Sequence, residues 1–198
     1  MPSWLHLSTD SLEQTVLHAK KLLTNVRREK GPNAKLAMVM DLDDTVMLDN
    51  GPEKRQRVIP LMRELYNYAK SPGLQYAVFF ITARPDREGN YSATRKQLDS
   101  MGFRNYDGLF LMPPQFREKS RFCEFKFLVR EKLRQDGWCI VLNAGDSYHD
   151  VMVLPDVASN SRHAESMLKR LQREGPDKCV LFSPLEPCMV SLKMPSRE

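Results

Sequence analysis

An apolar run in the chain is followed directly by the acidic segment DLDDT, which contains Asp41 and Asp43. If the run is a strand, these two side chains point the same way, because residues two apart share one face of a strand. Two carboxylates buried close together repel each other unless a cation neutralises them. Mg²⁺ is the natural candidate, since it prefers hard oxygen ligands. The segment therefore predicts an acidic site that binds a metal.

Two other apolar runs also end in polar residues. The segment GDSYHD places Asp146 and Asp150 after one run, and Thr82 closes another. In an open parallel sheet, ligands bind in the crevice at the carboxyl ends of the strands. Strands often end in polar residues simply because the chain is leaving the core. Three such ends, two of them acidic, favour a shared site.

Short apolar runs alternate along the chain with segments of helical spacing, which is typical of βαβ units. The predicted strands are 36–40, 76–81, 109–112, 139–142 and 179–182, and the predicted helices are 11–29, 57–70, 91–101, 120–135 and 161–174. Continuous apolar strands are typical of a parallel sheet covered on both faces. The fold class is therefore α/β, a Rossmann-like doubly wound parallel sheet of about five strands.

The length of 198 residues fits one domain. We expect an N-terminal helix within residues 1–33, a catalytic core over 34–183 and an extended or partly disordered tail over 184–198. Ser8, Thr9 and Asp10 are available to cap the first helix.

The motifs resemble those of the haloacid dehalogenase superfamily. The strand followed by DLDDT is similar to its first motif, DxDxT, and Thr82, at the end of VFFIT, is similar to the second. Lys126, in FKFLVREKL, corresponds to the third motif, and GDSYHD corresponds to the acidic fourth. The stretches DLDDTVMLDN, ITAR and GDSYHD further resemble the class B bacterial and plant vegetative-storage-type acid phosphatases.

This resemblance implies a Mg²⁺-dependent phosphohydrolase that cleaves a phosphate monoester through an aspartyl-phosphate intermediate. Asp41 would be the nucleophile and Asp43 the general acid and base. The implied metal ligands are Asp41, the backbone carbonyl of Asp43, Asp146 and Asp150. The implied phosphate-binding residues are Thr82, Ala83, Arg84 and Lys126.

Three of these assignments have competing interpretations. Arg84 could point at the substrate or be an exposed loop arginine. Lys119 competes with Lys126 for the third motif, although its proline- and arginine-rich surroundings indicate a loop. Asp150 could bind the metal directly or through water, or only brace its loop.

The substrate is expected to be a phosphorylated small molecule or a nucleotide. Only the short stretch 49–56 stands where many relatives insert a cap domain, and the net charge is +5. An open site and a basic surface also suit a macromolecular substrate, such as a nucleic-acid end or a phosphoprotein. A third alternative is a catalytically retired binding or storage protein. A homodimer, in which a neighbouring subunit covers the site, is compatible with the sequence.

Cysteine usage and hydropathy bear on the compartment. The four cysteines are widely spaced and form no CxxC pair, which argues against a disulfide framework or a zinc site. No apolar run approaches the roughly 20 residues that span a bilayer, and the N-terminus does not resemble a secretory signal. The expected location is the cytoplasm, without membrane association.

Overall fold

The computed structural model describes residues 7–9, 11–48, 57–118, 121–147, 150, 179–182 and 190–193. Its strands are β1 Leu7–Thr9, β2 Leu36–Met40, β3 Met47–Leu48, β4 Arg57–Val58, β5 Ala77–Pro85, β6 Gly108–Met112, β7 Cys139–Gly145, β8 Cys179–Phe182 and β9 Val190–Lys193. Its helices are α1 Leu12–Lys30, α2 Pro60–Ala69, α3 Asn90–Ser100 and α4 Phe122–Gln135. Strands and helices alternate as the sequence predicts.

The main sheet has the strand order β1-β8-β9-β7-β2-β5-β6. The strands from β9 to β6 are mutually parallel. On the β9 side, β8 pairs antiparallel with β9, and β1 pairs antiparallel with β8. All five residues of the central strand β2 are buried, as expected for a strand covered on both faces. The predicted α/β class with a parallel sheet is confirmed.

Helices cover both faces of this sheet, and the side chains of β2 divide between them. Met38 and Met40 belong to a core formed with α1, α2 and α3, whereas Ala37 and Val39 belong to a second core formed with α4. This division follows from the alternation of side chains along a strand. The doubly wound arrangement brings α4 close to the end of β2, where the acidic segment begins.

Two predicted helix starts need correction. The first helix is capped by Ser11, whose side chain accepts the backbone N–H of Gln14. Ser8 and Thr9 lie in β1 instead, and Asp10 lies outside the described residues. The helix predicted from residue 57 begins at Pro60, because proline suits the first helical turn and keeps the preceding Ile59 extended. Arg57–Val58 instead pairs with β3 as a small hairpin. The short stretch 49–56, which stands where many relatives insert a cap domain, lies outside the described residues.

The fifth parallel strand also differs from the prediction. Cys179–Phe182 is a strand, but it runs antiparallel to its neighbour, and the parallel position beside β7 is taken by Val190–Lys193. The sequence assigned that segment to a tail outside the core. The sequence VSLK gives little signal, since four residues with one fully buried leucine, Leu192, are too few to show a pattern. The predicted helix 161–174 lies outside the described residues.

Within the described part of the chain, no helix has the length and apolar character needed to cross a membrane. Cys123 is buried and Cys139 is half-buried.

Candidate active site

Asp41 follows β2 at the carboxyl edge of the parallel sheet. Its backbone N–H donates to the carbonyl of Ala144 on β7 at 2.9 Å, and the residue is 7% exposed. The carbonyl of Leu42 then accepts three successive backbone N–H groups, so the chain turns sharply. Asp44 has a φ of 55° in this turn, a conformation that aspartate tolerates better than most residues. The turn keeps Asp43 at the edge of the sheet beside Asp41.

Lys126 extends from α4 into this edge of the sheet. Its Nζ donates to Oδ1 of Asp41 at 2.8 Å and also to the carboxylate of Asp150, and all three side chains are buried. Burial alone lowers the pKa of Lys126, but the carboxylates of Asp150 and Asp41 more than offset this, and the net pKa shift is upward. The ammonium therefore stays charged and links α4 to β2 and to the segment that follows β7.

Asp150 is held through both its side chain and its backbone. Oδ2 accepts the backbone N–H of Ser147 at 2.8 Å. The carbonyl accepts the side-chain amide of Asn143 at 2.7 Å and a guanidinium N–H of Arg130 at 2.9 Å. Bracing the loop after β7, one of the three roles considered for Asp150, is therefore present in the structure.

Sequence reasoning missed Arg130 and Asn143, although both left a signal. Arg130 lies one helical turn after Lys126 and so shares its face of α4. Asn143 is a polar residue inside the apolar run of β7. Each is 1% exposed, and a buried polar group needs a hydrogen-bond partner. Their shared partner is the backbone carbonyl of Asp150.

Gly145 leaves the space that Asp150 occupies. A Cβ at this position would overlap the Cβ and the carboxylate of Asp150. We expect Gly145→Ala to displace Asp150, to lower the free energy of unfolding by about 1–3 kcal/mol and to reduce kcat by roughly tenfold or more. Thermal unfolding and steady-state kinetics measure both effects. Gly73→Ala is the matched control, because a Cβ there meets nothing within 4 Å; equal behaviour of the two variants would contradict the prediction.

Three carboxylates in this site could share one cation. Asp41, Asp146 and Asp150 each offer an oxygen, and these atoms lie within 4.8 Å of one another. Burial, reinforced by the charge of Asp150, raises the pKa of Asp146 to about 7. Burial also raises the pKa of Asp41, although Lys126 opposes this shift. Lys126 alone leaves negative charge in excess, so the residues present fit a divalent cation with oxygen ligands, such as Mg²⁺.

A cleft of about 320 Å³ opens above these groups. The predicted site residues that line it are Asp41, Asp43, Thr82, Ala83, Lys126, Asp146 and Asp150, and Asp44, Phe122 and Ser147 line it as well. Thr82 is fully buried within β5, which continues past it to Pro85, and its hydroxyl accepts the backbone N–H of Arg84 at 3.2 Å. The hydroxyl can still donate its hydrogen to a ligand oxygen.

Arg84 lies beside the cleft, with its guanidinium against the carboxylate of Asp43. The two side chains form a bidentate pair, with Nε–Oδ2 at 2.8 Å and Nη2–Oδ1 at 2.5 Å. Arg84 is therefore not a solvated loop arginine, and its contact with a phosphate stays a prediction. The competing Lys119 lies outside the described residues.

Comparison with known families places the chain. Residues 52–171 match the family described as HAD superfamily, subfamily IIIB (Acid phosphatase). The match covers more than half of the chain, which belongs to this family. It includes Thr82, Lys126, Asp146 and Asp150 and begins after Asp41 and Asp43. The resemblance to the superfamily and to its acid phosphatases is confirmed.

Individual relatives agree with this assignment. The chain is 27% identical to the Stem 31 kDa glycoprotein of Glycine max over 124 residues, which are 62% of this chain and 38% of the relative. The chain thus spans well under half of that protein. The class C acid phosphatase of Bacillus anthracis superposes with a TM-score of 0.56 at 20% identity, over 81% of this chain and 72% of that one. The same enzyme with tungstate bound gives 0.59 at 17% identity, over 94% and 77%. At these identities the two structures establish a shared fold.

Proposed function

We propose that the chain is a Mg²⁺-dependent phosphohydrolase that cleaves phosphate monoesters with Asp41 as the nucleophile. The observation that carries the proposal is the buried contact of Asp41 with Lys126 inside a cluster of three carboxylates. The cluster lies at the carboxyl edge of a parallel sheet, where ligands bind in this fold class. The family of the chain supports the same activity.

The reaction divides into two displacements. A carboxylate oxygen of Asp41 attacks phosphorus, the P–O bond to the leaving group breaks, and an aspartyl-phosphate forms. Asp43 gives its proton to the departing oxygen and then takes one from the water that hydrolyses the intermediate. Both aspartates line the same cleft, so one phosphoryl group can reach both.

The remaining residues hold the phosphoryl group. We assign Thr82 and the backbone of Ala83 to its oxygens, and Lys126 to the charge that develops in the transition state. The motif resemblance implies a phosphate contact for Arg84 as well, although its guanidinium is paired with Asp43. Asp41, the carbonyl of Asp43, Asp146 and Asp150 would hold Mg²⁺. When bound, this ion supplies charge compensation between an anionic nucleophile and an anionic substrate.

The proposed substrate is a phosphorylated small molecule, in keeping with the acid phosphatase family. Neither the family nor the relatives favour the alternatives of a macromolecular phosphatase or a retired binding protein. Nucleic acid and a homodimer partner gain no support from them either.

Metal dependence tests this function. We expect protein stripped with EDTA to be inactive on p-nitrophenyl phosphate and Mg²⁺ to restore the activity. The raised pKa of Asp146, about 7 in the metal-free protein, means that a proton competes with the metal below this pH. The Mg²⁺ concentration for half-maximal activity should therefore rise by roughly tenfold per pH unit below 7 and level off above it.

Asp146→Asn supplies the control for this experiment. It removes both the titrating group and a proposed ligand, so the requirement for Mg²⁺ should increase and lose the part of its pH dependence that comes from Asp146. Burial of the charged Asp146 destabilises the folded state. The substitution should therefore also raise the free energy of unfolding of the metal-free protein at pH 8 by roughly 1.4 kcal/mol or more, which corresponds to one pKa unit. Hydrolysis that persists in EDTA with the wild-type protein would overturn the metal-dependent mechanism.

A further inference from the structure

The guanidinium of Arg84 is fully engaged by protein atoms. An arginine has five N–H donors, and the structure gives each an acceptor. The Nε hydrogen and one Nη2 hydrogen are donated to the carboxylate of Asp43. The second Nη2 hydrogen faces Sδ of Met47 at 3.2 Å. The two Nη1 hydrogens face Oε1 of Gln97 at 2.5 Å and Oγ1 of Thr94 at 3.5 Å. The three short contacts, to both oxygens of Asp43 and to Gln97, hold the guanidinium against protein atoms.

The position of Arg84 relative to the cleft indicates its role. Asp43 lines the cleft, whereas Arg84 lines a separate surface depression bounded by α3. The guanidinium thus lies behind the carboxylate. A bidentate arginine–carboxylate pair fixes the plane of the carboxylate as well as its position. Each carboxylate oxygen keeps a second lone pair, which is free of Arg84 and available on the side of the cleft.

Helix α3 extends this arrangement one step further. Gln97 and Thr94 lie one turn apart on α3, and Thr94 is 4% exposed. Their oxygens hold the far side of the guanidinium, which leaves Arg84 little freedom to move. The chain of contacts therefore runs from α3 through Gln97 and Arg84 to Asp43.

We propose that Arg84 is a positioning residue for Asp43 and that Gln97 holds Arg84 in the required orientation. This inference rests on the proposed function, in which Asp43 transfers a proton to the leaving oxygen. Misplacing the carboxylate by a fraction of an ångström slows that transfer. The loss of rate depends on the leaving group, because an alkoxide needs a proton in order to leave and p-nitrophenolate does not.

The test compares two esters, methyl phosphate and p-nitrophenyl phosphate, by kcat/KM, which reports the step that releases the leaving group. For Arg84→Lys and Arg84→Ala we expect a loss of roughly 100-fold or more on methyl phosphate and under about tenfold on p-nitrophenyl phosphate. Inhibition by inorganic phosphate should stay within about threefold of the wild type, because no phosphate contact is removed. Guanidinium chloride should partly restore Arg84→Ala. Gln97→Met should show the same pattern with a smaller loss.

Arg95→Lys is the matched control, because Arg95 lies on α3 between Thr94 and Gln97 and is exposed. Equal losses on both esters together with weaker inhibition by phosphate would show that Arg84 binds the phosphoryl group and would overturn the inference. Unchanged kinetics in Arg84→Lys and Gln97→Met would overturn it too. If Arg84→Ala does not fold, these two variants decide. A wild-type protein inactive on both esters would contradict the proposed function instead.

Discussion

Replacing Asp41 with asparagine should lower kcat for phosphate monoesters by roughly 10⁴-fold or more while the protein stays folded. An amide is a poor nucleophile and cannot form the aspartyl-phosphate. Its oxygen has the shape of the lost carboxylate oxygen and can still accept the hydrogen bond from Lys126. Steady-state hydrolysis of p-nitrophenyl phosphate with Mg²⁺ measures the loss, and acid quenching with a labelled substrate shows whether phosphate becomes attached to the protein.

The control for Asp41→Asn is Asp136→Asn, the same substitution on an exposed aspartate beyond α4. It should keep wild-type activity. Label retained on Asp41→Asn, or activity equal to that of the control, would mean that another residue attacks phosphorus.

Replacing Lys126 with methionine should abolish activity and also destabilise the fold. The substitution keeps most of the side-chain volume but leaves two buried carboxylates, on Asp41 and Asp150, without their shared ammonium. Breaking a buried ion pair from one side lowers the free energy of unfolding by about 3–5 kcal/mol. The expected loss is greatest in metal-free protein at neutral pH and smaller at acidic pH, because protonation neutralises the stranded carboxylates. Denaturant unfolding at pH 5 and pH 8 measures it.

A double variant separates the two effects of Lys126. Adding Asp150→Asn to Lys126→Met removes one of the two stranded charges, so part of the lost stability should return. Activity should not return, since the group that stabilises the transition state is still absent. If the double variant is no more stable than Lys126→Met, uncompensated buried charge is not the reason for the lower free energy of unfolding.

The edge of the sheet that carries the proposed site could be predicted because its residues follow strands with a clear apolar pattern. β2 and the first five residues of β5 are unbroken apolar runs, so the polar residue that follows each run, Asp41 or Thr82, is easily located. Their meeting in space then follows from the parallel topology alone. The role of Lys126 was predicted from the motif resemblance, because the spacing of basic residues along α4 does not show which of them faces the sheet.

The residues that hold this site in place could not be predicted in the same way. Gln97 and Arg130 are ordinary polar residues of amphipathic helices until the packing of those helices is known. The sequence of β9 also gives no clear signal for a strand. Its four residues of mixed polarity form a strand because the edge of β7 is open for pairing. The local sequence predicts the apolar strands and the residues at their ends. The supporting polar network depends on tertiary contacts, which the local sequence does not show.

The separation along the chain of the groups that meet at Asp41 also bears on how the protein folds. Lys126 is 85 residues from Asp41, and Arg84 is 41 residues from Asp43. Parallel sheets gain such contacts late, because the loops between strands must close before the contacts can form. A partly folded chain can contain α1, α2 and α4 and still lack every pair on which the site depends. The proposed activity therefore requires the completed topology, and a partly folded chain with only its early helices or hairpin should show none of it.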